Sequence, residues 1–240
     1  MAVRLCAQDP GATQIIDEAN KLLRGSSSHA RLSMNIRTPK WERTLEIEAW
    51  NKGRAQSLLR IHAPAKEQGN GTLRKEKEIW NWLPAVERVI KVPPSMLHNS
   101  WMGSDFTYED IIKADSIVKD YTHRTLNKKP ANEGELYIIL ATPKADAPVV
   151  WGKVIFTALK TENSVIPVKE EDYSERGELI RTVEFFDIKN MSGKRVPTRV
   201  ECRPQKRPDH KTVLLYRSLE LDLTIPDIFF SLSTVQKPLP

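Results

Sequence analysis

From residue 30 onward the chain reads as a succession of short stretches in which apolar and polar positions alternate. In ARLSMNIR, Ala30, Leu32, Met34 and Ile36 fall on one side and Arg31, Ser33, Asn35 and Arg37 on the other. RTLEIEAW sets Leu45, Ile47 and Ala49 against Glu46, Glu48 and Trp50, and AQSLLRIHA aligns Ala55, Ser57, Leu59 and Ile61. A strand turns successive side chains to opposite faces, so each stretch predicts a strand with one apolar and one wetted face. Turn signals at Thr38-Pro39 and Asn51-Lys52-Gly53 separate them, which is the pattern of an antiparallel meander. GTLRKEKEIWNWLP and ERVIKVP predict a further pair, joined at Pro84-Ala85. DSIVKDYTHRTL, GELYIILATP, WGKVIFTAL, LIRTVEFFDI, RVPTRVECRP and KTVLLYRSLELDL carry the meander to about ten strands.

Helical spacing occurs in three places. ATQIIDEANKLLRG repeats Ile15, Ile16, Ala19, Leu22 and Leu23 at the helical period and ends at Gly25. A short helix is predicted to begin at Tyr108, with Thr107 capping against Asp110 and with Phe106 and Ile111 placed as a hydrophobic staple. A turn is expected at IPDIFF.

The stretch PPSMLHNSWMGSDFTYED, residues 93–110, fits neither period. It gathers Met96, Leu97, Trp101, Met102 and Phe106 between prolines and Gly103. Such soft, adaptable side chains fill uneven apolar space. A twisted sheet of about ten strands curls into a barrel or half-barrel. Its concave face can be filled by helices or by a ligand, so the pattern predicts a mostly β barrel or half-barrel with lid or plug helices. The candidate cavity residues are Leu32, Met34, Ile36, Leu45, Ile47, Leu59 and Ile61, with Trp80 and Trp82 beside them. The candidate lid is Met96, Leu97, Trp101, Met102, Gly103 and Phe106, with Gly103 as its pivot. A register slip of one residue would turn the strand list to the other face.

Composition narrows the function classes. The 240 residues are 40% hydrophobic and 28% charged, ordinary for a globular chain, with no repeat or low-complexity linker. The net charge of +6 is concentrated in residues 189–211. That stretch, with Trp80 and Trp82 as stacking platforms, supports a nucleic-acid-binding alternative; a charged hairpin is the plainer reading. His29, His62, His98, His123 and His210 are scattered without metal-ligand spacing, and no nucleophile elbow, phosphate loop or dinucleotide fingerprint occurs. Asp105, Glu109 and Asp110 read as favourable charge at a helix start. No catalytic residue, metal or cofactor is therefore expected, and no apolar run is long enough to span a membrane. Cys6 and Cys202 have no spacing that decides whether they pair.

The block from Leu58 to Asp110 resembles the LolA-like family of outer-membrane lipoprotein-sorting proteins. The resemblance is to the branch often encoded beside export systems and extends from about Ala19 to the C-terminal LTIPDIFFSLSTV. Trp101, Met102, Gly103, Ser104, Asp105 and Phe106 match that branch's signature, as do Trp80, Pro84, Arg88, Pro94 and Ser95. The resemblance implies a periplasmic carrier of lipid or lipoprotein acyl chains, built as a mostly β (α+β) single antiparallel sheet curled into an unclosed half-barrel with lid or plug helices in its mouth. It also implies an inner-membrane export complex and an outer-membrane acceptor as partners. An arginine on an early strand gates the lid in the family, and Arg37 is the nearest match. Residues 1–8 are read as a leftover or disordered N-terminus and 9–240 as a single LolA-like lipid-binding domain. A non-carrier structural or interaction module of a cell-envelope export complex is the alternative, and a nucleic-acid-binding protein or a hydrolase ranks behind it.

Overall fold

The computed structural model describes residues 9–76, 78–112 and 115–237. Cys6 and the expected remnant lie outside them. Thirteen strands form one antiparallel sheet: β1 (Ser27–Arg37), β2 (Glu42–Lys52), β3 (Gln56–Ala63), β4 (Gly71–Lys75), β5 (Glu78–Leu83), β6 (Arg88–Lys91), β7 (Tyr121–Ala131), β8 (Gly134–Pro143), β9 (Lys153–Lys160), β10 (Val165–Tyr173), β11 (Leu179–Met191), β12 (Lys194–Pro204) and β13 (Lys211–Leu221). Their spatial order is β6-β5-β4-β3-β2-β1-β13-β12-β11-β10-β9-β8-β7. The sheet is thus an unclosed half-barrel built from two meanders joined where β1 pairs with β13. The edges are β6 and β7, which are consecutive in the chain.

That topology explains the irregular segment. After β6 the chain must cross from one free edge to the other, and it does so through residues 92–120, over the concave side. The crossing contains α2 (Tyr108–Ile112) and α3 (Ser116–Lys119). α1 (Pro10–Leu22), capped by Asp9 and opening on Pro10, lies in the same concavity. Its buried face, with Ile15, Ile16 and Ala19, packs on Ile139 of β8, Phe156 of β9 and Val165 of β10. The main core lies between the concave face and the crossing, where Met34, Ile36, Leu45, Ile61, Trp101 and Phe106 are buried together.

The structure departs from the expected elements at three places, each for a local reason. GTLRKEKEIWNWLP is a hairpin of β4 and β5, reversed around Glu76, whose φ of 57° is left-handed. DSIVK is helical: the amides of Val118 and Lys119 return to the Asp115 carbonyl, and β7 begins only at Tyr121. The third is β10, within VIPVKEEDY, whose charges resemble a solvated surface.

A second, smaller core sits on the convex face. Leu58 and Leu73 are buried there beneath Ile225, Phe230 and Val235 of the C-terminal segment, with Trp50, Trp80 and Trp82 packed around them. The expected IPDIFF turn is the 3-10 turn Asp227–Phe229, and α4 (Leu232–Gln236) follows, capped by Ser231. α4 lies directly on the backbone of β4: a Cβ built at Gly71 would stand 2.3 Å from Val235 Cγ2. A side chain at that position would push the C-terminal helix off its seat.

Candidate functional site

The concave side encloses a hollow of about 270 Å3. β1 contributes Leu32 and Met34, β2 Ile47 and Ala49, β3 Leu59, and the crossing Trp101 and Phe106. β11, β12 and β13 close the far wall with Val183, Phe185, Val200 and Leu214, and α1 forms part of the roof. Ile36, Leu45 and Ile61 share the inward face but lie beyond the hollow, buried under the crossing. The strand parity read from the alternation is therefore the one observed in β1, β2 and β3.

Trp80 and Trp82 require a correction. Trp80 pairs with Leu73 and Trp82 with Gly71, so both project to the convex face beneath the C-terminal segment. The inward positions of β4 and β5 are instead Thr72, Arg74, Ile79 and Asn81. They form a polar connection to the crossing: Trp101 Nε1 donates to Thr72 Oγ1 at 3.3 Å, Thr72 Oγ1 to Asn81 Oδ1 at 3.0 Å, and Asn81 Nδ2 to Tyr108 Oη at 2.8 Å.

The crossing is closed against the sheet rather than facing water. Trp101 is 1% exposed and Phe106 5%. Leu97 and Met102 pack on the core's margin, while Met96 points to solvent. The Trp101 amide reaches Phe106 O at 2.8 Å and the Ser104 amide reaches Trp101 O at 3.0 Å, folding WMGSDF into a tight turn. Met102 and Gly103 both adopt left-handed backbone there, with φ of 53° and 74°. The Thr107 amide and hydroxyl donate to Asp110 Oδ2 at 2.6 and 2.8 Å, and the Asp110 amide returns to Thr107 Oγ1 at 3.2 Å, the reciprocal cap that starts α2.

Two arginines fasten this turn, and neither is Arg37, which is exposed at the end of β1. Arg43 of β2 donates to the Met102 carbonyl and pairs with Glu67 at 2.7 Å. Arg37 misses the turn because its parity is outward, whereas Arg43 stands across from Ile36 on the inward side. Arg181 of β11 is 3% exposed and grips α2 more fully. Its two terminal nitrogens reach both oxygens of Asp110 at 2.6 Å, one of them also reaches Asp105 O at 3.0 Å, and Nε reaches Asp172 at 2.6 Å. The guanidinium lies 4.4 Å from the Trp151 ring centroid. Charge-assisted, two-pronged pairs of this kind are the strongest hydrogen bonds a side chain makes. Asp105 is tied in turn to Thr212 of β13, its amide 2.9 Å from Thr212 Oγ1. Sequence reading passed over Arg181, although it shares the parity of Val183 and Phe185 on an alternating strand, which marks it as inward.

Glu170 and Asp172 also face inward from β10. Burial drives both carboxyls up from their ordinary range, Glu170 furthest. Arg181 pulls Asp172 back, while Asp172 and Asp110 push Glu170 higher still. Asp172 Oδ1 is buried without a hydrogen-bond partner, and Glu170 is the neighbouring carboxyl that interacts with Asp172. The folded protein therefore keeps the Glu170 proton to higher pH than the unfolded chain does, which releases it around the ordinary value of 4.5. Its contribution is fully present below that value and is lost as pH rises toward the folded pKa, at up to about 1.4 kcal/mol per pH unit. Glu170→Gln should keep the hydrogen bond and abolish this loss. Urea unfolding at several pH values should give curves that agree near pH 4 and diverge, with the variant more stable, as pH rises; parallel curves would refute the neutral acid.

The remaining polar candidates have structural roles. Buried His123 accepts from Thr13 at 2.9 Å and donates to Ile117 O at 2.7 Å, and burial lowers its pKa. His29 and His62 both meet Glu48 on the convex face, at 2.8 and 2.9 Å. The basic stretch is charge-paired: Arg199 and Arg203 with Glu201, Arg195 with Glu133, Lys206 with Glu178 and Arg207 with Asp105. Cys202 is a buried thiol, 3.5 Å from Asp105 O, with its pKa raised chiefly by burial. Among the described residues no helix is long and apolar enough to cross a membrane.

The model of a family described as "Uncharacterized protein" matches residues 53–237. The chain belongs to this family. Its fold is LolA-like. A LolA superfamily protein from Nitrosomonas europaea is 23% identical, with 92% of this chain and 98% of that one covered and a TM-score of 0.78. A DUF1329 family protein from Desulfovibrio piger is 20% identical, covering 94% and 98%, with a TM-score of 0.83. A domain named for outer membrane lipoprotein sorting, from Vibrio parahaemolyticus, is 19% identical, covering 95% and 99%, with a TM-score of 0.81. No curated protein matches the chain.

Proposed function

We propose that this LolA-like protein is a periplasmic binder and carrier of acyl chains, of lipid or of acylated protein. It would receive them from an inner-membrane export complex and pass them toward an outer-membrane acceptor. The observation that carries this reading is the hollow itself, enclosed between a Leu/Ile/Met strand floor and the buried Trp101 and Phe106. An acyl chain gains about 0.8 kcal/mol for each buried methylene and asks for apolar area rather than directed chemistry. At about 270 Å3 the hollow falls just below the usual range of ligand pockets, roughly 300–1,000 Å3, and suits one chain better than several. The fold shared with a lipoprotein-sorting domain supports the same reading. No catalytic role is proposed, since the inward acids and Arg181 are spent on fastening the crossing.

Mass spectrometry of organic extracts from the purified protein tests this. A carrier should bring acyl lipid with it, approaching one chain per protein. Extracts with no more lipid than a matched control protein of similar size and charge would contradict it.

A further inference from the structure

The two ends of the hollow differ in charge. At the crossing end stand Glu170, Asp172 and Asp110 with Arg181 as their common partner. At the other end, beyond α1, stands Arg24. Arg24 is half-buried and lines the hollow. Its one described hydrogen bond goes to a neutral group, Asn51 Oδ1 at 2.8 Å. Asn51 is held by Ser28 and Ser57, at 3.1 and 2.8 Å, so it presents that oxygen and cannot turn away. Among the described residues no carboxylate forms an ion pair with Arg24; Asp115, which acts on it through space, is already paired with Arg74 and Lys119. Tyr216 lines the hollow beside this corner, its hydroxyl without a hydrogen-bond partner among the described residues.

A guanidinium stays charged even when burial opposes it, and a buried charge without a counter-charge is costly. Arg24 thus offers unused donors in a planar fork, the geometry that fits a carboxylate or phosphate. Between it and the acids the floor runs along β1 from Ser28 past Leu32 to Met34, roughly 20 Å at strand rise. We propose that the hollow takes a single-chain amphiphile with an anionic head, a carboxylate or a phosphate, anchored by Arg24 and Tyr216, its tail lying along β1 toward Trp101. At the crossing end Arg181 is already bound by Asp110 and Asp172, which leaves Arg24 to set this direction. This rests on the acyl-binding reading and names the ligand class and its orientation.

Equilibrium binding of dodecanoate, dodecyl phosphate and dodecanol to delipidated protein tests it. Wild type should bind at least one of the two anions at least about tenfold more tightly than the alcohol, a difference of about 1.4 kcal/mol. The tighter anion identifies the head group. Arg24→Met should erase that preference while leaving dodecanol affinity within about twofold, which also reports that the hollow is still formed. Arg24→Lys, which keeps the charge but not the fork, should retain part of the preference. Equal affinity of wild type for the alcohol and both anions, or a preference that survives Arg24→Met, would overturn the anchor while leaving acyl binding standing. Absence of binding by all three ligands would remove both.

Discussion

Arg181→Met is expected to lower folding stability by about 3–5 kcal/mol, the usual cost of removing one partner from a buried ionic cluster. Methionine fills much of the space, so the loss is chiefly electrostatic. Asp172, fully buried, and Asp110, on the crossing, then lose the cation they share. The same change frees the Asp105 carbonyl and with it the turn that carries Trp101 and Phe106. Acidification should reduce the defect, because the stranded carboxyls then take up protons and cease to repel. Urea unfolding of wild type and variant at neutral and acidic pH measures both effects. A loss below about 1 kcal/mol at neutral pH would mean that the arginine is merely covering, rather than holding, the acids.

This cluster also shows where a sequence is legible and where it is not. Alternation in β1, β2 and β3 is read correctly because the apolar residues of each recur at every second position, so parity alone assigns Leu32, Ile47 and Leu59 to one face. The reciprocal cap of Thr107 and Asp110 is legible because it depends on residues three apart. Trp80 and Trp82 are not, since β5 has apolar cover on its convex side, supplied by a segment about 150 residues later. β10 is hidden for the converse reason: Glu170 and Asp172 look like surface residues until Arg181 is brought opposite them by the β10–β11 pairing. The lid arginine is a narrower case. The early-strand position implied by family resemblance is right in kind, but the residue that reaches the turn is Arg43, six positions after Arg37 and on the inward side. Long-range pairing, which no local period encodes, separates the two.

The account's central claim is that the hollow receives an acyl chain, and filling the hollow from its floor tests that claim most directly. Ala49 lies at the middle of the floor, opposite Ala30 on one side and Leu59 on the other, and its methyl faces the empty space. A leucine or phenylalanine there should enter that space with less than the roughly 1–3 kcal/mol penalty of overpacking a filled core. Titration of a fluorescent fatty acid into wild type, Ala49→Leu and Ala49→Phe should therefore give graded affinities. Wild type should bind saturably and the phenylalanine variant at least about tenfold more weakly, with all three melting cooperatively. Unchanged affinity in Ala49→Phe, or no saturable binding by wild type, would contradict the account.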